Sequence, residues 1–301
     1  MQPPSNSPPS ASGGAAAGKP AEAANAGKPA VANGAQAATP AAAAKPAKAG
    51  GLNRRVRVRV GAEGARADLL AGWRNPRVVA TQQVEYRPGV ATLPEAIAAL
   101  DPLLTALTAS SGPIKGLTCD VLIGDAWMLY DVVRADLRNL SPRAADDVVR
   151  SALADVAGVP PHEVVTRWHT QTGGQCTVAC GMPAAALPSL QTLLKTHRLQ
   201  PGEIVGEFVH EYNAHRDRMA SGCAVISLVR ETGTQLAVTA GGVLTAMSFE
   251  LGVRAPEELE VRGRGLLRGT GVTMSSDTQF FALLPAGWTP PPPWVAVATT
   301  V

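Results

Sequence analysis

The stretch Cys223–Gly252 constrains the fold of this chain most, because it holds three short apolar runs separated by two glycine turns. The first run, Ala224–Val229, is apolar except for one serine, which is typical of a central strand buried on both faces. The third run alternates apolar and polar residues with the period of a half-buried strand. Gly241 and Gly242 supply the positive φ angles that a two-residue hairpin requires. The stretch therefore predicts a meander of three antiparallel strands.

The beginning of the chain has the composition of a disordered tail. Residues 1–50 consist almost entirely of Ala, Pro, Gly, Lys, Asn and Ser, without an aromatic residue. Such a segment buries too little apolar surface to offset the entropy of ordering it, roughly 1–2 kcal/mol per backbone residue. Its four lysines and one glutamate carry the whole net charge of +3, since the rest of the chain holds 23 basic and 23 acidic residues.

A locally basic run follows the tail at Arg54, Arg55, Arg57 and Arg59. The alternation of arginine with valine predicts a strand that exposes an arginine face. The alternative is a nucleic-acid surface formed by this run and the tail. We expect no nucleic-acid partner, because the part of the chain that folds is electrically neutral.

Strand and helix patterns alternate along the rest of the chain. Leu93–Ala109 spaces its leucines helically, and Pro102 is expected to kink or divide that helix. Asp125 joins two strand runs and is most simply a turn residue. Further helices are predicted from Ser141 to Gly158, over Ala184–His197 and over Glu203–Arg216.

The order of these patterns indicates a duplicated half, with two related α/β lobes around a cleft. We predict a first lobe with connecting helices over residues 51–218 and a second, shortened lobe over 219–287. A Pro-rich C-terminal segment, 288–301, completes the chain. Its two tryptophans flank four prolines and one threonine in Trp288–Trp294. This segment either docks on the fold or binds a partner.

At this level the chain resembles the actin-like, ribonuclease-H-type proteins of bacterial pilus and secretion assembly, such as PilM-like proteins and the cytoplasmic part of GspL-like proteins. The similarity lies in Cys223–Gly252 and, upstream, in Thr177–Leu187, Leu190–Leu194 and Gly202–Val205. It covers most of residues 52–285. The resemblance implies an actin-like ATPase fold with two lobes that each contain a βββα unit, the second lobe being truncated.

The resemblance also implies where a nucleotide site would lie. Nucleotide-binding members place an acidic residue and a glycine at the first turn of each half, where the carboxylate orients magnesium and the glycine lets amides approach phosphate. Here Val58-Arg59-Val60-Gly61 and Ser227-Leu228-Val229 occupy these places without a carboxylate. Ser227 is the most telling position. We therefore predict no catalytic residue, no metal and no cofactor.

Other catalytic motifs are missing or misplaced. The sequence has no phosphate-binding loop of the Gly-x4-Gly-Lys-Ser/Thr kind. The motif His210-Glu211 to His215 places its histidines five residues apart, roughly 140° around a helix, so they do not converge on a zinc ion. No apolar run approaches the ~20 residues of a membrane span, and no signal peptide is recognisable. We therefore expect a cytoplasmic protein.

The leading hypothesis is a non-catalytic cytoplasmic assembly or adaptor protein of a type IV pilus or type II secretion-like apparatus, with components of that apparatus as partners. The lysines of the tail would add weak peripheral binding to the inner membrane, about 1 kcal/mol each. The alternative is a Mg-ATP-binding enzyme or switch of the actin and sugar-kinase type. Its phosphate site would use Gly233, Thr234, Gly241 and Gly242.

Overall fold

The computed structural model describes residues 53–73, 76–86, 92–174, 176–219, 222–230, 232–252, 256–284, 289–290 and 292–300. The predicted disordered tail lies outside these residues. Within them the chain forms thirteen strands in three sheets, together with six α-helices. No helix in this described part combines the length and hydropathy that a membrane-spanning segment requires.

The strands and helices alternate along the chain. The strands are β1 (Arg54–Val60), β2 (Gly64–Ala71), β3 (Arg77–Glu85), β4 (Thr118–Ile123), β5 (Leu129–Val133), β6 (Val164–Thr170), β7 (Thr177–Pro183), β8 (Gln200–Gly206), β9 (Cys223–Val229), β10 (Gly233–Ala240), β11 (Val243–Leu251), β12 (Gln279–Leu284) and β13 (Trp294–Ala298). The helices are α1 (Leu93–Ala98), α2 (Leu100–Ser111), α3 (Pro142–Ala157), α4 (Ala186–Thr196), α5 (Glu207–Met219) and α6 (Pro256–Gly269).

The first lobe is built on a mixed sheet whose described strands lie in the order β3-β2-β1-β4-β8. The strands β1, β2 and β3 form an antiparallel meander, and β4 and β8 continue the sheet in parallel. The valines of β1 point to one face, where they pack against the leucines of α1, α2 and α4. This alternation of buried valine and partly buried arginine is the period of a strand.

Pro102 divides the predicted helix, as expected. The break between α1 and α2 falls at Ala99, three residues before the proline. A proline ring clashes with the carbonyl group four residues earlier, which here belongs to Ala98, the last residue of α1. The start of α1 is fixed by a capping box in which Thr92 and Glu95 each accept a hydrogen bond from the other's backbone amide.

A three-stranded sheet is inserted in the first lobe between β4 and β8, with described strand order β5-β7-β6. The helix α3 packs on it through Val149 and Leu153. Ser141 caps this helix by accepting a hydrogen bond from the amide of Ala144, and Gly158 ends it in a left-handed conformation. Both end signals were recognisable in the sequence.

The second lobe repeats the first sheet, with described strand order β11-β10-β9-β12-β13. Residues Ala224–Val229 of β9 are all buried, which confirms the prediction of a central strand. The second lobe is the shorter one because it has no counterpart of the inserted sheet in the described part of the chain. Trp294–Ala298, from the Pro-rich C-terminal segment, pairs in parallel with β12 as the fifth strand. These five residues dock on the fold, which is one of the two expectations for the segment, whereas Trp288 lies outside the described residues.

The prediction of a helix over Glu203–Arg216 is wrong in its first turn. Residues Gln200–Gly206 form β8, which pairs in parallel with β4, and the helix begins at Glu207. The sequence of β8 contains proline and glycine and has no strand period, so its strand conformation depends on tertiary contacts such as the pairing with β4. Gly206 is required there, since a Cβ atom at this position would lie 1.9 Å from the hydroxyl oxygen of Tyr130.

Candidate functional site: the cleft between the lobes

The first turns of the two meanders line one cleft, of about 860 Å³, between the lobes. The turn after β1 closes with a hydrogen bond of 2.9 Å from the amide of Gly61 to the carbonyl oxygen of Gly64. The turn after β9 closes in the same way, with 2.9 Å from the amide of Arg230 to the carbonyl oxygen of Gly233. The two turns are therefore equivalent parts of a repeated unit.

The register of the sheets shows which residues of the two first strands are equivalent. The last pair before the turn is Val60 with Ala65 in the first lobe and Val229 with Thr234 in the second. Counting back one residue makes Arg59 and Leu228 equivalent. Neither side chain carries a carboxylate.

Ser227, which the sequence-based prediction singled out, is not among the residues that line the cleft. Ser227 precedes the equivalent position by one residue and is fully buried inside the second sheet. Its hydroxyl group donates a hydrogen bond of 3.4 Å to the carbonyl oxygen of Phe281 on the neighbouring strand β12. A carboxylate at this position would lie in the sheet core, whereas Leu228 lines the cleft.

Glu207 joins the two lobes across the cleft. It is the first residue of α5 and is only 3% exposed. Its carboxylate accepts a hydrogen bond of 3.2 Å from Nη2 of Arg59 and forms a further ion pair with Nε of the same arginine. Nε of Arg230, which follows β9, donates to the same carboxylate at 3.3 Å. We call Arg59, Glu207 and Arg230 the interlobe bridge.

The other arginines of β1 lie on the same polar face. Arg55 pairs with Asp120 on β4 at 3.3 Å. Arg57 is partly buried, and this burial, followed by the charge of neighbouring Arg55, lowers its pKa. Asp120 and Asp68 oppose that shift. The arginine face is therefore only partly exposed, not fully as predicted, because Asp120 of β4 pairs with Arg55 and Glu207 of α5 pairs with Arg59.

Asp125 is a second buried carboxyl group at the cleft. It follows the buried strand β4 in a short 3₁₀ turn and is 4% exposed. Its Oδ1 atom accepts hydrogen bonds from the hydroxyl group of Tyr130 at 2.5 Å and from the amide of Phe208 at 3.1 Å. Burial, and then the nearby carboxylate of Glu207, raises the pKa of Asp125 to about 7.

Asp125 also holds the start of α5. The first amides of a helix have no partner within the helix, and Asp125 accepts the one from Phe208. This hydrogen bond fixes the position of Glu207, which precedes Phe208 in the chain and lines the cleft. Sequence analysis interpreted Asp125 as a simple turn residue. Its place directly after a buried parallel strand was the available signal, because functional residues collect at the carboxyl ends of such strands.

The four residues predicted for a phosphate site do not come together. Gly233 lines the cleft, and Thr234 follows it as a fully buried residue of β10. Gly241 and Gly242 form the turn at the opposite end of β10, with φ angles of +58° and +78°. Eight residues of strand separate the two ends by about 23 Å. Only the first two predicted residues are therefore near the cleft.

The cleft residues fit a magnesium-nucleotide poorly. The amides of Gly61 and Gly233 already donate hydrogen bonds within their own turns, so they are not available to a phosphate group. Glu207 is engaged by two arginines, and magnesium prefers carboxylates that are free to bind it. Among the described residues no group of three or more His, Cys, Asp or Glu side chains could hold a metal ion.

Comparison with solved structures supports the fold. A Bacteroides thetaiotaomicron protein with an actin-like ATPase fold and unknown function matches at 8% identity and a TM-score of 0.53, over 78% of this chain and 83% of that one. A chain of the PilM-PilN type IV pilus biogenesis complex matches at 14% identity and a TM-score of 0.53, over 76% of this chain and 80% of that one. The chain therefore has an actin-like fold, as the resemblance implied.

A third likeness is weaker. The cytoplasmic domain of EpsL, an inner membrane component of the type II secretion system of Vibrio cholerae, matches at 12% identity and a TM-score of 0.47, over 82% of this chain and 90% of that one. We build no argument on it. No family model matches the sequence, and no curated protein matches it.

Proposed function

We propose that this protein is a non-catalytic assembly or adaptor protein that works through protein contacts in a pilus or secretion apparatus. The observation that supports this most is the interlobe bridge. It places a buried carboxylate and two arginines where the nucleotide-binding relatives are expected to hold magnesium and phosphate. The protein uses this part of the fold to join its lobes.

The energetics of the bridge favour a structural role. Breaking a buried ion pair by removing one partner typically costs 3–5 kcal/mol, because a buried charge is left unpaired. A magnesium-nucleotide would have to draw Glu207 away from both Arg59 and Arg230 to use its carboxylate. Arginines could attract phosphate, but here they are already neutralised by the carboxylate between them.

The pilus context comes from the structural likeness to the PilM-PilN complex. A protein with this fold, whose cleft is occupied by the interlobe bridge, would act by binding partner proteins through its surface. Its partner would be a protein component of the apparatus, and the protein would lie in the cytoplasm. We also propose that lysines 19, 28, 45 and 48 add weak attraction to the anionic inner membrane, about 1 kcal/mol each.

Affinity capture of the full-length protein from its own cells, after mild crosslinking, tests the adaptor role. We expect components of a pilus or secretion apparatus among the captured proteins. A matched capture with Glu207→Ala shows whether recovery depends on the joined lobes. Capture that recovers no such component with the wild-type protein would contradict the proposal.

The Mg-ATP-binding alternative retains one favourable observation, the cleft of about 860 Å³ beside Gly233. Two observations count against this alternative. Arg59 and Leu228 have no carboxylate, and Gly241 and Gly242 lie at the end of β10 that is far from the cleft. Direct titration with nucleotide separates the two candidates.

A further inference from the structure

The surroundings of Asp125 connect it to both lobes. Tyr130 faces it from β5, Glu207 and the amide of Phe208 from α5, and Arg230 from the end of β9. Arg59 of β1 reaches this group through Glu207. Two carboxyl groups from the first lobe therefore lie within the electrostatic reach of one arginine of the second lobe.

The hydrogen bonds that Asp125 accepts are unevenly divided between its two oxygens. Both donors, Tyr130 and Phe208, bond to the same oxygen, Oδ1. The other oxygen, Oδ2, is buried and accepts no hydrogen bond from the described residues. Burying a charged oxygen without a donor costs more free energy than burying the neutral hydroxyl group of a protonated carboxyl without an acceptor, so the empty surroundings of Oδ2 favour the protonated form.

We propose that the proton on Asp125 controls how firmly the interlobe bridge holds. With the proton in place, Arg230 bonds to Glu207, and the second lobe is tied to β1 through Arg59. When the proton leaves, two carboxylates compete for Arg230. The arginine is drawn towards Asp125, and its tie to Glu207 and the first lobe loosens. This inference does not depend on which partner the protein binds.

The direction in which each neighbour shifts the pKa of Asp125 makes the proposed control of the interlobe bridge testable. Burial and the carboxylate of Glu207 raise the pKa of Asp125, to about 7, while the hydrogen bond from Tyr130 lowers it. The protonated and ionised forms are then both populated near neutral pH. Removing the Tyr130 hydroxyl group should move the transition to higher pH, because the ionised form loses its donor.

Hydrogen exchange on the full-length protein measures the bridge directly. Amides at the start of α5 and at the end of β9 are followed by mass spectrometry from pH 5.5 to 8.5. Asp125→Asn, which cannot titrate, is measured beside the wild type at each pH, so that the intrinsic pH dependence of exchange cancels. We expect equal exchange at the acid end and about tenfold faster opening of the wild type at the alkaline end, a change of about 1.4 kcal/mol.

Two further variants keep the test decisive if Asp125→Asn folds poorly. Tyr130→Phe should raise the midpoint of the wild-type transition. Asp136→Asn should leave the midpoint unchanged, because Asp136 is an exposed carboxylate that pairs with Arg138. The proposal is overturned if Asp125→Asn shows the same transition as the wild type, or if Tyr130→Phe leaves the midpoint where it was.

Discussion

The two lobes share a strand order but differ in the chemistry of their first strands. In the first lobe, β1 alternates valine with arginine, so one face packs against leucines and the other meets acidic residues and α5. In the second lobe, β9 is buried over Ala224–Val229, and apolar clusters cover both of its faces. The same topology therefore supports one central strand with a polar and an apolar face and one that is apolar on both faces except for Ser227. The bridge residues Arg59 and Arg230 lie at the ends of these two strands.

Mutations at equivalent positions of the two lobes should change the unfolding free energy by very different amounts. Ile226 of β9 corresponds in register to Arg57 of β1. Ile226→Ala removes a fully buried side chain and should cost about 2–5 kcal/mol of unfolding free energy, measured by urea denaturation. Arg57→Met should cost less than about 1 kcal/mol, since Arg57 is only partly buried and methionine keeps the apolar part of the side chain packed. Equal losses at both positions would contradict the comparison.

Removing the shared carboxylate should disturb both lobes at once. Glu207→Ala leaves Arg59 and Arg230 without their acidic partner and should cost about 3 kcal/mol, the lower end for a buried ion pair because Arg59 is partly exposed. Glu203→Ala, an exposed glutamate on β8, is the control and should change little. In a double-mutant cycle, Arg230→Met should recover part of the loss. Additive effects of the two mutations would mean that no bridge exists.

The helix α5 also holds the last strand of the second lobe. Glu211 is 1% exposed, and its carboxylate accepts hydrogen bonds from the amide of Thr300 at 2.9 Å and from its hydroxyl group at 3.0 Å. Glu211→Ala should cost about 1–3 kcal/mol and speed hydrogen exchange in β13. Thr300→Ala keeps the amide bond and should have a smaller effect. Unchanged exchange in β13 with Glu211→Ala would contradict this role.

The polar face of the first lobe should make stability depend on pH through Asp125. Its pKa is about 7 in the folded protein and 3.8 as the ordinary value. The folded state therefore binds more protons between these values. The contribution of Asp125 to the free energy of unfolding should be greatest below pH 3.8. It should fall between pH 3.8 and about 7, by at most about 1.4 kcal/mol per pH unit, and stay level above pH 7. Asp125→Asn should lack this fall in denaturation measured across the range.

Local patterns predicted most of the fold. The meander of the second lobe followed from its apolar runs and glycine turns, and α3 followed from Ser141 and Gly158. The strand β8 was missed because Gln200–Gly206 has no strand pattern of its own and depends on pairing with β4. The predicted helix over Glu203–Arg216 therefore began too early and included the last four residues of β8, an edge strand of the first sheet.

The candidate site was less predictable, because its contacts join distant parts of the chain. Arg59 and Glu207 are 148 residues apart, and no local pattern connects them. The alternation of arginine with valine correctly indicated a strand, but it could not show that α5 covers the arginines. The sequence showed that the first strands of the two meanders have no carboxylate at the expected positions. It did not show that Glu207 lies in the cleft, because that depends on α5 beginning at this residue.

We propose that an internal ion-pair bridge takes the place of a nucleotide in this cleft. Isothermal titration of the full-length protein with Mg-ATP tests it most directly. We predict no binding heat up to millimolar nucleotide, because the carboxylates and turn amides of the cleft are already engaged. Saturable binding with a micromolar dissociation constant would contradict this account and favour the nucleotide-dependent alternative.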